Sequence, residues 1–210
     1  MQARRLEALA RLRSLTANNE AVRDRQQAQA ERFHAINERK PWQARVVVSD
    51  NLFPTPEPLA ERMVGMLQLH AHATVLEPSC GTGRLLAALA ATCIPLDVDA
   101  VEIAQPLVDD CAARFTGWKV TQGDFLTYRT LERYDRIIMN PPFRRGSDIK
   151  HICHAAGLLN RGGKLVALCY NGAQQNAKLK PLCDSWEVLQ SGTFKSEGTS
   201  ADVALLTITR

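Results

Sequence analysis

Apolar residues along this chain fall into short runs separated by stripes of helical spacing. Thr74-Val75-Leu76-Glu77, Leu96 to Ile103 with its end at Glu102, Trp118 to Thr121, Ile137 to Met139 and Lys164 to Tyr170 read as buried strands bounded by turn residues. Between them lie helical stretches. One runs from near Pro58 to about His70, with Leu59, Met63, Met66 and Leu67 inward, and a second covers Arg84 to Ala90. A third spans Gln105 to Phe115, with Leu107, Val108 and Cys111 inward. The fourth runs from Asp148 to Asn160, with Ile149, Ile152, Cys153, Ala156 and Leu159 spaced for a core face, and Arg161-Gly162-Gly163 as its stop. Gln174 to Leu182 is a polar helix, and Trp186 to Gln190 pairs with Val203 to Thr209 as a closing antiparallel hairpin. Alternation of strand and helix predicts an α/β fold of Rossmann type, with the antiparallel pair at its C-terminal end.

The first 45 residues follow a different pattern. Residues 3 to about 40 lack Gly and Pro and are rich in Ala, Arg, Glu and Gln, so they predict a helical extension. Leu6, Leu9, Leu12 and Leu15 form a short stripe, Thr16-Ala17-Asn18-Asn19 breaks it, and from there to Lys40 the large apolar residues thin out to Val22, Phe33 and Ile36. That is too few to bury the helix in a core. Ten Lys/Arg against five acids make residues 1–45 net +5, whereas the rest carries sixteen against seventeen, within a total of +4. The segment is either a solvated helix with pairs such as Glu7–Arg11 or a basic arm that follows a phosphate backbone. Two domains are therefore expected: a basic helical extension over 1–45 and an α/β domain over 46–210. Arg45-Val46-Val47-Val48 reads as a short strand or an extended approach to the latter, and Leu52 to Pro58 as a stiff turn into its first helix.

With 45% apolar and 23% charged residues the composition is that of a soluble globular protein. No apolar run reaches the length of a membrane span, and the charged amino terminus lacks the core of a signal peptide. The six cysteines contain no Cys-x-x-Cys pair and read as reduced, mostly buried thiols of a cytoplasmic protein. His70 and His72 read as helix-end surface residues. His151 and His154 have no carboxylate or Cys partner at metal spacing and read as structural, so no metal is expected.

Candidate chemistry gathers where strands end. Tyr134 to Met139 stops at Asn140-Pro141-Pro142-Phe143, because two prolines cannot continue a ladder. This presents the Asn140 side chain, the Pro141 carbonyl and the Phe143 ring together, a set suited to a planar group bearing an NH2. After Glu77 comes Pro78-Ser79-Cys80-Gly81-Thr82-Gly83, a glycine turn between strand and helix that lets backbone approach a ligand and frees amides at the helix start. Glu102 falls about 20 residues later, where doubly wound folds hold ribose hydroxyls. Gly123-Asp124-Phe125-Leu126 offers an acceptor for an adenine amine, with a ring beside the base. Arg144-Arg145-Gly146 is a flexible basic loop, and Ser191 to Ser200 a Gly/Ser/Thr-rich candidate flap near the same edge.

Taken in order, these motifs resemble the class I S-adenosylmethionine-dependent methyltransferases over about residues 46–210, within them the Asn-Pro-Pro-Phe/Tyr amino-methyltransferases. Glu77 to Gly83 resembles their first cofactor motif, in the Glu-Pro form of DNA adenine-N6 enzymes. Phe53-Pro54-Thr55-Pro56 resembles the segment that packs beside the methionine end of the cofactor, and Asn140 to Phe143 resembles the catalytic motif. The resemblance implies a seven-stranded methyltransferase sheet with S-adenosyl-L-methionine as cofactor. Cofactor contacts are implied from Phe53, Thr55, Glu77, Pro78, Ser79, Gly81, Gly83, Glu102, Asp124 and Phe125. Catalysis is implied for Asn140, Pro141, Pro142 and Phe143: Asn140 Oδ1 and the Pro141 carbonyl accept from the target amine while Phe143 stacks on the base, with no metal and no covalent cysteine. The implied substrate is adenine N6 in nucleic acid, DNA ahead of RNA. The chain has no room for the recognition domain of sequence-specific relatives, so low sequence preference, a partner that supplies specificity, or a structured RNA target is expected. A protein glutamine methyltransferase and a non-catalytic cofactor-binding module are the alternatives. The oligomeric state is left open.

Overall fold

The computed structural model describes residues 53–210. The helical extension expected over 1–45 and the extended approach at Arg45-Val46-Val47-Val48 lie outside the described residues. The elements are α1 (Glu57–Met66), β1 (Ala73–Glu77), α2 (Arg84–Ala91), β2 (Leu96–Glu102), α3 (Gln105–Arg114), β3 (Lys119–Gln122) and β4 (Tyr134–Met139), followed by α4 (Ser147–Gly157), β5 (Leu159–Tyr170), α5 (Ala173–Lys178), β6 (Ser185–Val188) and β7 (Val203–Thr209). Seven strands form one sheet in the order β3-β2-β1-β4-β5-β7-β6. The first five are parallel, and β7 runs antiparallel between β5 and β6. This is the seven-stranded α/β sheet with an antiparallel C-terminal pair that the sequence implies.

The order of strands sets where a ligand goes. From β1 the chain moves outward to β2 and β3, then returns to lay β4 on the other side of β1. The carboxyl ends of β1 and β4 therefore flank a topological switch point, the place where open α/β sheets bind ligands. Strand interiors at this centre are fully buried: Val75, Leu76, Ile137, Ile138 and Met139 are all solvent-inaccessible. Leu85, Leu86 and Leu89 hold α2 against the sheet and each contributes about 1.5–3 kcal/mol of burial.

Several boundaries differ from the sequence reading. Helix α1 ends at Met66, short of His70, because Gln68 turns left-handed (φ 55°) and its carbonyl accepts from the Arg136 guanidinium. Helix α4 is rotated relative to its apolar stripe: Asp148, Ile149, His151, Ile152 and Ala155 are buried, while Cys153 is exposed and Ala156 half-buried. The Arg161-Gly162-Gly163 stop is instead a bulge inside β5. Along the β4–β5 ladder, β4 advances from Tyr134 to Arg136 while β5 advances from Leu159 to Lys164. A Cβ at Gly163 would lie 2.9 Å from the Asn160 carbonyl oxygen and 3.0 Å from that of Tyr134, so only glycine fits the bulge. Of the six cysteines, Cys80, Cys111 and Cys169 are buried, Cys183 is half-buried, and Cys93 and Cys153 are exposed. The Ser191–Ser200 loop is pinned by Phe194, whose side chain is buried. Among the described residues no helix is long and apolar enough to cross a membrane.

Candidate active site

A cavity of about 710 Å³ opens at the switch point. It brings together Phe53, Thr55, Glu77, Pro78, Ser79, Gly81, Glu102, Asp124, Phe125 and the whole Asn140-Pro141-Pro142-Phe143 turn. Gly83 is the one predicted residue absent from its wall. There φ is +74°, and an added Cβ would meet Phe115 at 2.9 Å and Cys111 at 3.0 Å, so Gly83 serves the close packing of α2 on α3.

Asn140 follows the last residue of β4, where the two prolines end the ladder. Its amide is oriented by the segment before α1: Nδ2 donates to the Phe53 carbonyl at 2.9 Å and to Thr55 Oγ1 at 3.2 Å. The carbonyl can only accept, so the nitrogen must face it. Oδ1 has no hydrogen-bond partner among the described residues. Thr55 is 2% exposed, so this part of the support is shielded from solvent.

The glycine turn and the end of β2 are tied to each other. Glu102 accepts the Gly81 N–H at 2.8 Å through Oε2 and the Ala104 N–H at 2.9 Å through Oε1. The Gly81 amide, expected to be open to a ligand, is therefore already engaged, and Glu102 braces the turn from the cavity wall. Each carboxylate oxygen retains a lone pair for a further donor. Below them, Glu77 is 2% exposed, and its Oε2 and the Ser79 Oγ are buried without a partner among the described residues. Burial raises the Glu77 pKa well above the carboxylate range, with Cys111 and Glu102 adding to the rise. The Cys80 thiol, hydrogen-bonded with Cys111 and buried beside Glu77, has a raised pKa and stays protonated, which suits no nucleophilic role.

The far end of the cavity departs from the sequence reading. Asp124 accepts the Leu126 N–H at 2.9 Å in a tight turn, which leaves its other oxygen open. The Phe125 ring is buried and packs against His151 (5.8 Å between centroids) and edge-on against His154 (4.7 Å), so it floors the cavity and presents no open face. Ile103, 66% exposed directly after Glu102, supplies the free apolar surface there. His151 also reaches the wall. Its Nδ1 lies 2.8 Å from the Ser147 carbonyl and must carry the hydrogen, which leaves Nε2 an acceptor. Sequence reasoning missed Ile103, His151, Tyr170 and Ala201. An exposed isoleucine after a strand-end acid was the one readable signal among them.

Residues 59–195 match the family model described as methyltransferase small domain. The chain belongs to that family. Its cofactor is S-adenosylmethionine. The cavity fits it: a buried carboxylate oxygen and a hydroxyl without partners suit an alkylammonium, and Glu102 retains acceptor capacity for a diol. No curated protein sequence matches the chain. Among solved structures this methyltransferase chain is similar to TrmN from Thermus thermophilus (18% identity, TM-score 0.61), covering 73% of this chain and 49% of that one. A putative RNA methyltransferase from Pyrococcus horikoshii matches at 18% identity and TM-score 0.63, over 87% of this chain and 97% of that one. A modification subunit of a putative type I restriction enzyme from Vibrio vulnificus matches at 15% and TM-score 0.57, over 77% and 45%. The chain thus spans about half the length of TrmN and nearly all of the archaeal protein. At these identities the likeness is one of fold.

Proposed function

We propose that this protein transfers the methyl group of S-adenosylmethionine to the N6 amine of adenine in nucleic acid, DNA in the first place. The observation that carries this reading is the fixed Asn140 amide. With Nδ2 held by Phe53 and Thr55, Oδ1 is committed as an acceptor in a cavity that Pro141 and Phe143 also line. An exocyclic amine is a poor nucleophile because its lone pair is delocalised into the ring. Two acceptors on its two N–H groups let the nitrogen pyramidalise and stabilise the positive charge that develops there. Phe143 stacks on the base once it is unpaired.

The cofactor supplies the electrophilic methyl group. Around it, Glu77 and Ser79 take the ammonium end, Glu102 the ribose, and Asp124 with Ile103 the adenine, so the protein's contribution is alignment for in-line transfer. The Pyrococcus horikoshii match, named as a putative RNA methyltransferase and 97% covered, favours RNA as a second reading of the same site.

The test is labelled-methyl transfer to duplex DNA, single-stranded DNA, total RNA and protein extract in parallel, followed by nucleoside analysis, with Asn140→Ala as control. N6-methyldeoxyadenosine is the expected product. N6-methyladenosine in RNA alone selects the second reading, and label in protein alone overturns both.

A further inference from the structure

Beside the main cavity lies a separate open groove of about 430 Å³ between the Arg144–Gly146 turn and the start of α5. It is continuous with the active site, because Phe143 and Tyr170 line both. One buried carboxylate builds its walls. Asp148, solvent-inaccessible, accepts the Tyr170 N–H at 3.0 Å, and both its oxygens accept from Gln175 Nε2, at 3.1 and 3.0 Å.

Gln175 is 5% exposed, so it is a buried polar side chain with one end committed. Its Nε2 is spent on Asp148, and its Oε1 has no hydrogen-bond partner among the described residues although the residue lines the groove. Gly172 is what admits the two walls so close together. A Cβ there would lie 2.8 Å from the Tyr170 ring and 2.9 Å from Gln175 Oε1. Tyr170 itself is 41% exposed and presents its ring. At the rim, Arg145 is exposed in a left-handed conformation (φ 54°). The groove thus offers an aromatic face, one fixed acceptor and a cation.

We propose that this groove is a subsite for the nucleotide next to the target adenine. Tyr170 stacks on the neighbouring base, Gln175 Oε1 accepts from an amine or imino N–H on that base, and Arg145 contacts a phosphate. The proposal rests on the nucleic-acid reading of the active site and adds to it a built source of local sequence preference. Asp148 acts as a positioning residue, because it holds Tyr170 and Gln175 without touching the substrate.

The test uses the full chain and oligonucleotides that carry the unmethylated target adenine, with an abasic residue placed in turn on its 5′ and 3′ sides. An abasic neighbour on one side should lower the methylation rate about tenfold, with the KM for the cofactor unchanged. Tyr170→Ala, shown by thermal melting to be folded, should lose a similar factor on the intact strand and little more on the abasic one. Arg145→Ala should reduce the salt dependence of oligonucleotide binding by about one unit of slope. Equal rates on intact and abasic strands for the wild-type protein overturn the subsite alone. No transfer to any oligonucleotide overturns the subsite and the substrate reading together.

Discussion

Asn140 Nδ2 lies 2.9 Å from the carbonyl oxygen of Phe53, a residue 87 positions earlier in the chain. That contact decides which end of the Asn140 amide is left free to accept, and under the proposed function it makes the segment before α1 a support for the residue that meets the substrate. Asn140→Ala should lower kcat by about 10²–10³ with cofactor affinity retained. Thr55→Val removes only the second acceptor and should cost about three- to tenfold in kcat. Steady-state kinetics with cofactor titration separate the two. A Thr55→Val loss as large as that of Asn140→Ala would mean that threonine contacts the substrate itself.

Glu77 opposes stability with binding. Its folded pKa is raised by burial above the ordinary value of 4.5, so the folded state holds the proton more tightly than the unfolded one. This contribution to stability is fully present below about pH 4.5 and is lost as pH rises through the folded value. Glu77→Gln should therefore melt higher than the wild-type protein at pH 8, the advantage disappearing in acid. The same variant should bind S-adenosylmethionine about ten- to a hundredfold more weakly, because a glutamine has no proton to release and cannot form the carboxylate that pairs with the ammonium. Calorimetry at two pH values reads both effects, and an unchanged affinity removes Glu77 from the cofactor site.

His151 titrates in the opposite sense. Burial lowers its pKa, and His154 adds to that, while the Ser147 carbonyl, Asp124 and Asp148 act to raise it. The unfolded chain then binds more protons below the ordinary value of 6.5, so stability falls as pH drops from there through the folded value. Melting temperatures between pH 7 and 5 should decline in the wild-type protein and decline less in His151→Gln. Parallel curves for the two would exclude His151 as the source.

Gly83→Ala should destabilise by about 2–4 kcal/mol, from the left-handed backbone and the contacts with Phe115 and Cys111. Because Gly83 stays off the cavity wall, the folded fraction should keep its KM for S-adenosylmethionine. Denaturant melts and kinetics on the same sample test this, and a raised KM with unchanged stability contradicts the packing role.

Asp135 ties three strands at the opposite end of the sheet. Burial pushes its pKa up, but hydrogen bonds from Asn160 and from the Thr74 amide and hydroxyl outweigh this, and the net shift is downward. Its contribution is present above pH 3.8 and is lost as pH falls through the lower folded value. Asp135→Ala should cost about 1–3 kcal/mol at pH 7, with that difference shrinking in acid and activity per folded molecule unchanged. Denaturant melts at pH 7 and pH 3 provide the comparison.

What the sequence determined by itself was everything carried by local pattern. Runs such as Thr74–Glu77 and Ile137–Met139 can only be buried strands, Pro141-Pro142 must end one, and the glycines after Pro78 must turn the chain. Those constraints place Glu77, Glu102, Asp124 and Asn140 at strand ends before any strand is paired. The tertiary structure decided what depends on neighbours distant in sequence. A helical stripe does not say which way α4 rotates, and the buried Asp148 carboxylate, satisfied by Tyr170 and Gln175, turned His151 inward and left Cys153 in solvent. Gly162-Gly163 reads locally as a helix stop, yet pairing with β4 made it a bulge. The orientation of the Asn140 amide depends on an acceptor 87 residues away, and the Gly81 amide is claimed by Glu102 only once β1 and β2 lie side by side. Backbone preference is written residue by residue. Hydrogen-bond partnership is settled only when the sheet brings its strand ends together.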